Sequence, residues 1–282
     1  MVRKVVTESE GRAARLGAAS IAALGSRLTE RDRQVALDCY EHRVLTTEQL
    51  RRLHFRSARR TRRRLELLYQ LRVLDRFRPP KQRGEGSSPY HWILDEAGAH
   101  IAAEALGLER SELRWRRQAA IALARSSILT HQLEVNEFFT RLAVDACEAG
   151  GRLAAWWGER SCRAALAGTA APDGYGLLEL PGRAALAFLL ELDRGTEEHQ
   201  RLCQKLRRYA KALPRSALAE QAPLVLIAVP SLARRDRLSE TLAASPVRHA
   251  IVAWTPRSSP VATLRDALPA TSRPEPSGGA RW

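Results

Sequence analysis

Three acids and a run of arginines are the residues whose type and spacing suit chemistry in this chain. Asp173 follows Pro172 in a Pro-Asp-Gly turn, and Glu191 and Asp193 end the apolar stretch 185–193. Side chains alternate along a strand, so Glu191 and Asp193 share a face at its C-terminal end. A short strand at 177–180 comes just before, and a hairpin between the two brings Asp173 close to Glu191. Carboxylates gathered at one strand end are costly unless a cation or base neutralises them. Two or three hard oxygens with room for water suit Mg²⁺, which stabilises charge in phosphodiester cleavage.

The arginines are equally concentrated. The chain has 282 residues, with 46 Lys+Arg against 31 Asp+Glu and a net charge of +15. Residues 51–83 hold 13 basic residues against only Glu66 and Asp75, so +11 of that charge lies there. A need for solubility would spread the charge. Concentration marks a footprint for a polyanion.

Composition narrows the class. At 45% hydrophobic and 27% charged, the chain reads as folded. No apolar run reaches the ~18 residues of a membrane span, so no membrane partner is expected. The N-terminus has no compact apolar block, and a secretory signal is not expected either. Cys39, Cys147, Cys162 and Cys203 form no CxxC pair and no zinc spacing. They read as free thiols in a reducing cytoplasm.

The elements that position these residues follow from periodicity. Thr29 opens a first helix with Glu30 and Asp32 in its first turn. Thr46 or Thr47 caps a second, and Ser57 caps a third over 58–71. In the third helix Leu65, Leu68 and Leu71, with Ala58 and Thr61, recur at helical spacing and face inward. Arg59, Arg60, Arg62, Arg63 and Arg64 crowd the rest of its N-terminal half. Two short strands, 73–78 and 90–94, flank a basic loop. Further on, a helix at 130–147 carries Val135, Phe138, Phe139 and Leu142 on one face. Strands at 153–159, 177–180, 185–193, 223–229 and 248–255 alternate with helices at 196–213 and 231–244.

Helix–helix–helix–hairpin with an arginine-studded third helix resembles a winged helix-turn-helix domain. That resemblance implies double-stranded DNA as partner. Arg56, Arg59, Arg60, Arg62, Arg63 and Arg64 would meet bases or phosphates. Arg76, Arg78, Lys81 and Arg83 would meet phosphates or a neighbouring minor groove. Winged helices also serve as protein-interaction modules with a solvated basic face.

The second half resembles the PD-(D/E)XK nuclease core: Pro172-Asp173, a turn, then Glu191-Leu192-Asp193 where that family writes Glu-x-Lys. Asp193 replaces the lysine that positions or activates the attacking water. The resemblance implies Lys205, on the next helix, as its substitute. It also implies Glu134 as the acid that the family's first helix often supplies. Asp173, Glu191 and the Leu192 carbonyl would then hold Mg²⁺, with Asp193 or Lys205 orienting water. The whole layout, His131-x-x-Glu134-x-Asn136 through Lys205-x-x-x-Tyr209, is similar to the replication-relaxation family of bacterial plasmids and mobile elements. It covers roughly residues 28–255 and is strongest over 188–209.

The expected fold class is α+β to α/β. A loose helix or tail covers 1–27, a winged helix 28–106 and a helical connector 107–128. An α/β domain with a mixed central sheet covers 129–255, and a disordered tail 256–282. Two functions stay open. One is a Mg²⁺-dependent nicking endonuclease acting on duplex DNA in plasmid replication and relaxation. The other is a non-catalytic initiator, accessory factor or transcription regulator whose nuclease-like domain is degenerate. No tyrosine stands beside a His cluster, so hydrolysis is the more economical chemistry. The protein is expected in the cytoplasm, at nucleoid or plasmid, as a homodimer or with other replication or conjugation proteins.

Overall fold

Described in a computed structural model of the protein are residues 27–79, 88–195 and 198–267, together with Val6, Thr7, Gly17 and Leu24. The chain forms two units, Met1–Arg141 with Trp157–Ser161 and Leu142–Trp156 with Cys162–Trp282. The division falls inside the helix Ile128–Glu148, beyond the polar connection expected to separate two domains.

The first unit contains β1 (Val6–Thr7), α1 (Glu30–Glu41), β2 (Leu45–Thr46), α2 (Thr47–His54), α3 (Ala58–Gln70), β3 (Leu74–Arg78), β4 (His91–Leu94), α4 (Glu96–Ala105) and α5 (Arg117–Ala122). Caps explain where the helices begin. Thr46 accepts from the Gln49 amide at 3.2 Å, and the Gln49 side chain accepts from the Thr46 amide at 3.0 Å. This reciprocal pair satisfies two of the four amides that a helix start leaves open. Asp95 caps α4 by accepting from the Glu96 amide at 2.8 Å. In α3, Thr61, Leu65 and Leu68 are buried as their spacing requires, while Leu71 is half-buried and Ala58 exposed. The sheet order is β1-β3-β4-β2, all antiparallel. Val6 and Thr7 pair with Arg78 and Phe77, so part of the expected tail is a strand. The segment 117–129 is no bare connector. Leu123, Ala124 and Leu129 pack with Val44, Phe77 and Ile93 in one apolar cluster.

One buried charge anchors this unit. Asp32 is fully buried and accepts from the Thr29 amide and hydroxyl at 2.7 and 2.6 Å. Arg64 Nε donates to its other oxygen at 2.7 Å. Burial opposes ionisation of Asp32, but the bonds from Arg64 and Thr29 outweigh it and hold the carboxyl below its ordinary range. Asp32→Ala removes a cap and strands Arg64, which is exposed enough to be rehydrated. Urea unfolding ought to show a loss of about 2 kcal/mol, less than the ~3–5 kcal/mol for breaking a fully buried pair because Arg64 regains water. Unchanged stability would mean that the pair contributes nothing.

The helix α6 (Ile128–Glu148) is followed by β5 (Arg152–Gly158) and α7 (Glu159–Ala165), both divided between the units because Trp157–Ser161 belongs to the first, and then by the second unit's β6 (Gly174–Glu179), β7 (Leu186–Leu192), α8 (His199–Ala212), β8 (Leu224–Val229), α9 (Leu232–Leu242), β9 (His249–Ala253) and α10 (Pro260–Ala267). The five-stranded sheet has the order β5-β6-β7-β8-β9. β6 and β7 are antiparallel, and β7, β8 and β9 run parallel, so the sheet is mixed. Each parallel step needs a crossover, and α8 and α9 provide them. β8 is buried at every position, as a central parallel strand should be. Two stretches differ from the sequence reading. α7, anchored by buried Cys162, stands between the expected strands 153–159 and 177–180, where no helix was expected. α10 falls inside the span expected to be disordered, because Val261 and Leu264 find apolar cover. Residues 268–282 lie outside the described residues. Among the described residues no helix is long and apolar enough to cross a membrane.

Candidate functional site

The basic run sorts into two groups. Arg56, Arg59, Arg60, Arg62 and Arg63 are exposed, and none pairs with a carboxylate of a described residue. Four of them lie on α3, whose other side is held inward by Thr61, Leu65 and Leu68. Arg64 and Arg76 belong to the fold instead. Arg64 is committed to Asp32. Arg76 donates to Glu66 at 2.5 Å and lies between the Tyr69 and Tyr90 rings, 4.2 Å from each centroid. A guanidinium clamped this way supports the hairpin. Arg78 is exposed and stacks on the outer part of the hairpin, 3.8 Å from the Tyr90 centroid. A groove of about 550 Å³ between α2, α3 and the hairpin is lined by Arg51, Arg62 and Arg78. Lys81 and Arg83 lie outside the described residues.

The acids of the second unit also separate. Gly174 pairs with Leu190, and this register sets Asp173 across from Glu191. Asp173 is half-buried, and its Oδ2 accepts from the Leu192 amide at 2.8 Å. Glu191 is 2% exposed. One of its oxygens accepts from Lys205 Nζ at 2.8 Å and the other from the buried Tyr209 hydroxyl. Lys205 and Tyr209 are four apart on α8, so both reach the same carboxylate. Asp173, Glu191 and Lys205 are thus brought together, with Tyr209 as a fourth member. Asp193 is not part of this group. It is buried and accepts from Arg234 Nε at 2.8 Å and from the Gly195 amide at 2.8 Å. Arg234 in turn bonds His199 at 2.8 Å. Asp193 therefore ties the end of β7 to α9. Glu134 lies on the part of α6 that belongs to the first unit, whereas the cluster belongs to the second.

The electrostatics follow from burial. Burial first, and the charge of Asp173 second, push Glu191 up to about 7 against the pull of Lys205 and Tyr209. Burial and the adjacent Glu191 push the Tyr209 hydroxyl well up, so it stays a donor. The sign for stability follows. The folded state holds a proton on Glu191 that the unfolded chain has lost above its usual 4.5. That contribution is complete below 4.5 and disappears as pH rises through 7. Glu191→Gln cannot ionise, so between pH 5 and pH 8 it ought to gain on the parent by ~1–3 kcal/mol. Urea titrations at both pH values, with chelator present, check this. A constant difference would place the Glu191 titration elsewhere.

Sequence reading missed the basic stripe of α8. Arg201 and Arg208 flank Lys205 at i−4 and i+3, on the same side of the helix, and both are exposed. The signal was available in that spacing.

For a divalent cation, no group of three or more His, Cys, Asp or Glu ligands exists among the described residues. Asp173 and Glu191 supply a carboxylate pair. Both Glu191 oxygens are engaged by Lys205 and Tyr209, so an ion there would have to share or displace those bonds; Mg²⁺ keeps several waters and often binds through one or two carboxylates and phosphate oxygens.

The replication-relaxation family matches residues 38–222. No curated protein matches the chain, and no solved structure does. The match spans about two thirds of the chain and takes in α3, Asp173, Glu191, Lys205 and Tyr209. The chain belongs to the replication-relaxation family, which ties it to the replication or relaxation of plasmid or mobile-element DNA.

Proposed function

We propose that the protein binds duplex DNA through α3 and nicks it hydrolytically at the Asp173–Glu191–Lys205 centre. The first unit, with three helices before a strand pair, is read as a winged helix, and the second unit as a PD-(D/E)XK-like domain. One observation carries the catalytic part: Lys205 Nζ stands 2.8 Å from a buried glutamate whose cross-strand neighbour is Asp173. This contact supports reading Lys205, on α8, as the substitute for the lysine absent from the strand.

Asp173 and Glu191, with the Leu192 carbonyl, would hold Mg²⁺, which stabilises charge on the phosphoryl oxygens. Tyr209 fixes the Glu191 carboxylate by donating from a buried hydroxyl. Lys205 is partly exposed, so its ammonium can face both Glu191 and an incoming water. Arg201 and Arg208 offer charge to the flanking phosphates. Asp193 is left out of the proposed centre because its ion pair with Arg234 turns it toward α9, away from Lys205 and Tyr209.

The experiment is a supercoiled plasmid carrying the native origin, incubated with the full chain and Mg²⁺. Open-circle product that depends on Asp173 and Glu191 is the expected result. The competing reading, a DNA-binding factor without catalysis, draws on the engagement of both Glu191 oxygens by Lys205 and Tyr209. Tight origin binding with no nicking, and no heat of Mg²⁺ binding, would decide for it.

A further inference from the structure

A second cationic site lies in the first unit, away from α3. Three chain segments meet at the C-terminal end of α1. Tyr40 is the hub. Its hydroxyl donates to the Leu113 carbonyl at 3.0 Å, which fastens 113–116 to α1. Its ring takes the Arg160 guanidinium, 4.2 Å from the centroid. The 158–160 segment is fastened too, by the Gly158 amide donating to Glu41 Oε1 at 2.8 Å. The approach is so close that a Cβ on Gly158 would lie 2.8 Å from the Glu41 carbonyl oxygen.

These segments enclose a pocket of about 90 Å³ lined by Arg43, Arg114, Arg116 and Arg160, with Tyr40 and Trp115 as apolar wall. Four guanidinium side chains border it, and among the described residues one carboxylate pairs with them: Glu159, 3.7 Å from Arg43. Arg114, Arg116 and Arg160 make no ion pair with any described residue. Two of the four also hold unusual backbone. Arg43 has φ 68° and Arg114 φ 51°, in the left-handed region that glycine, not arginine, favours. Such strain persists where surrounding structure over-determines it, and it gathers at binding sites. All four arginines are exposed and solvated, and together they offer an anion a concentrated positive charge.

The pocket's size and lining suit a small anion. Its volume of about 90 Å³ is several times the ~10–15 Å³ that one water needs, which leaves room for an oxyanion. Guanidinium forks match phosphoryl oxygens in pairs, which an ammonium cannot do. We propose that this pocket is a phosphoryl-binding site of the first unit, sharing no residue with the α3 face. It does not rest on the nicking reading. The phosphoryl group comes from the DNA backbone or from a free phosphate, and the same variants separate the two.

The test uses the full chain, inorganic phosphate as probe in a chloride buffer, and titration calorimetry. The variants are Arg116→Gln/Arg160→Gln and Arg114→Gly. The glycine change removes a guanidinium while suiting the positive φ, so it lowers binding without disturbing the fold. Both variants should bind phosphate at least tenfold more weakly than the parent, whereas Arg60→Ala/Arg63→Ala should bind it normally. If the double variant also lowers the salt slope of duplex binding by about 1, the backbone is the source, since one phosphate contact contributes ~0.9. If the slope holds while phosphate uptake falls, the ligand is a free anion. The proposal is overturned if the parent takes up no phosphate, if the pocket variants take it up as the parent does, or if the α3 variant alone loses it.

Discussion

Changing Arg59, Arg60, Arg62 and Arg63 together to alanine should weaken duplex binding about a hundredfold near 0.1 M salt. The physical basis is counterion release. Each phosphate neutralised contributes ~0.9 to the slope of log affinity against log salt, so four lost contacts lower the slope by about 3 to 4. All four arginines are exposed and pair with no carboxylate of a described residue, so their removal leaves the core intact. Alanine is also the better helix former. Stability therefore stays level or rises slightly while binding falls. Arg64→Ala is the contrasting control. It strands buried Asp32, so it should lower stability and leave the salt slope nearly unchanged. Fluorescence anisotropy over a salt series, with urea melts of each variant, reads both quantities. A quadruple variant that binds with the parent's slope would remove α3 as the DNA face.

Asp173→Asn and Glu191→Gln should each reduce Mg²⁺-dependent nicking of the supercoiled origin plasmid by a hundredfold or more. Both keep side-chain shape while removing the charge that would hold the ion, and metal stabilisation of phosphoryl charge supplies several kcal/mol. Lys205→Met should lower nicking as well, with less effect on Mg²⁺ affinity, because its part is toward water. Lys205→Arg is a poor rescue. A planar fork does not replace a point charge 2.8 Å from Glu191. DNA affinity of all three variants should match the parent's, since α3 is untouched. If Asp173→Asn and Glu191→Gln nick at the parent's rate, any cleavage arises elsewhere and the carboxylate pair is a structural feature.

Much of this was legible in the residue order because it is local. Leu65 and Leu68 mark the inward side of α3 by spacing alone, and Thr46 with Gln49 marks the start of α2. The alternation of 185–193 and the turn after Pro172 placed Asp173 opposite Glu191, and the β6–β7 register agrees. The departures come from partners distant in sequence. Arg64 meets Asp32 across 32 residues, and Arg76 is enclosed by rings from α3 and from the chain leading into β4. Period and charge density alone rank these two with their exposed neighbours.

The division of labour is thus plain at the two ends of the chain's chemistry. Sequence by itself determined that a cationic helix face and a carboxylate-bearing strand exist, since helical and strand periods assign faces without knowledge of what covers them. Tertiary structure alone decided which charges are left over. It gave Arg64 to Asp32 and Asp193 to Arg234. It also brought Lys205 and Tyr209 onto Glu191. A buried charge must be neutralised by whatever group the fold brings within reach, and that group is chosen by packing, not by position along the chain.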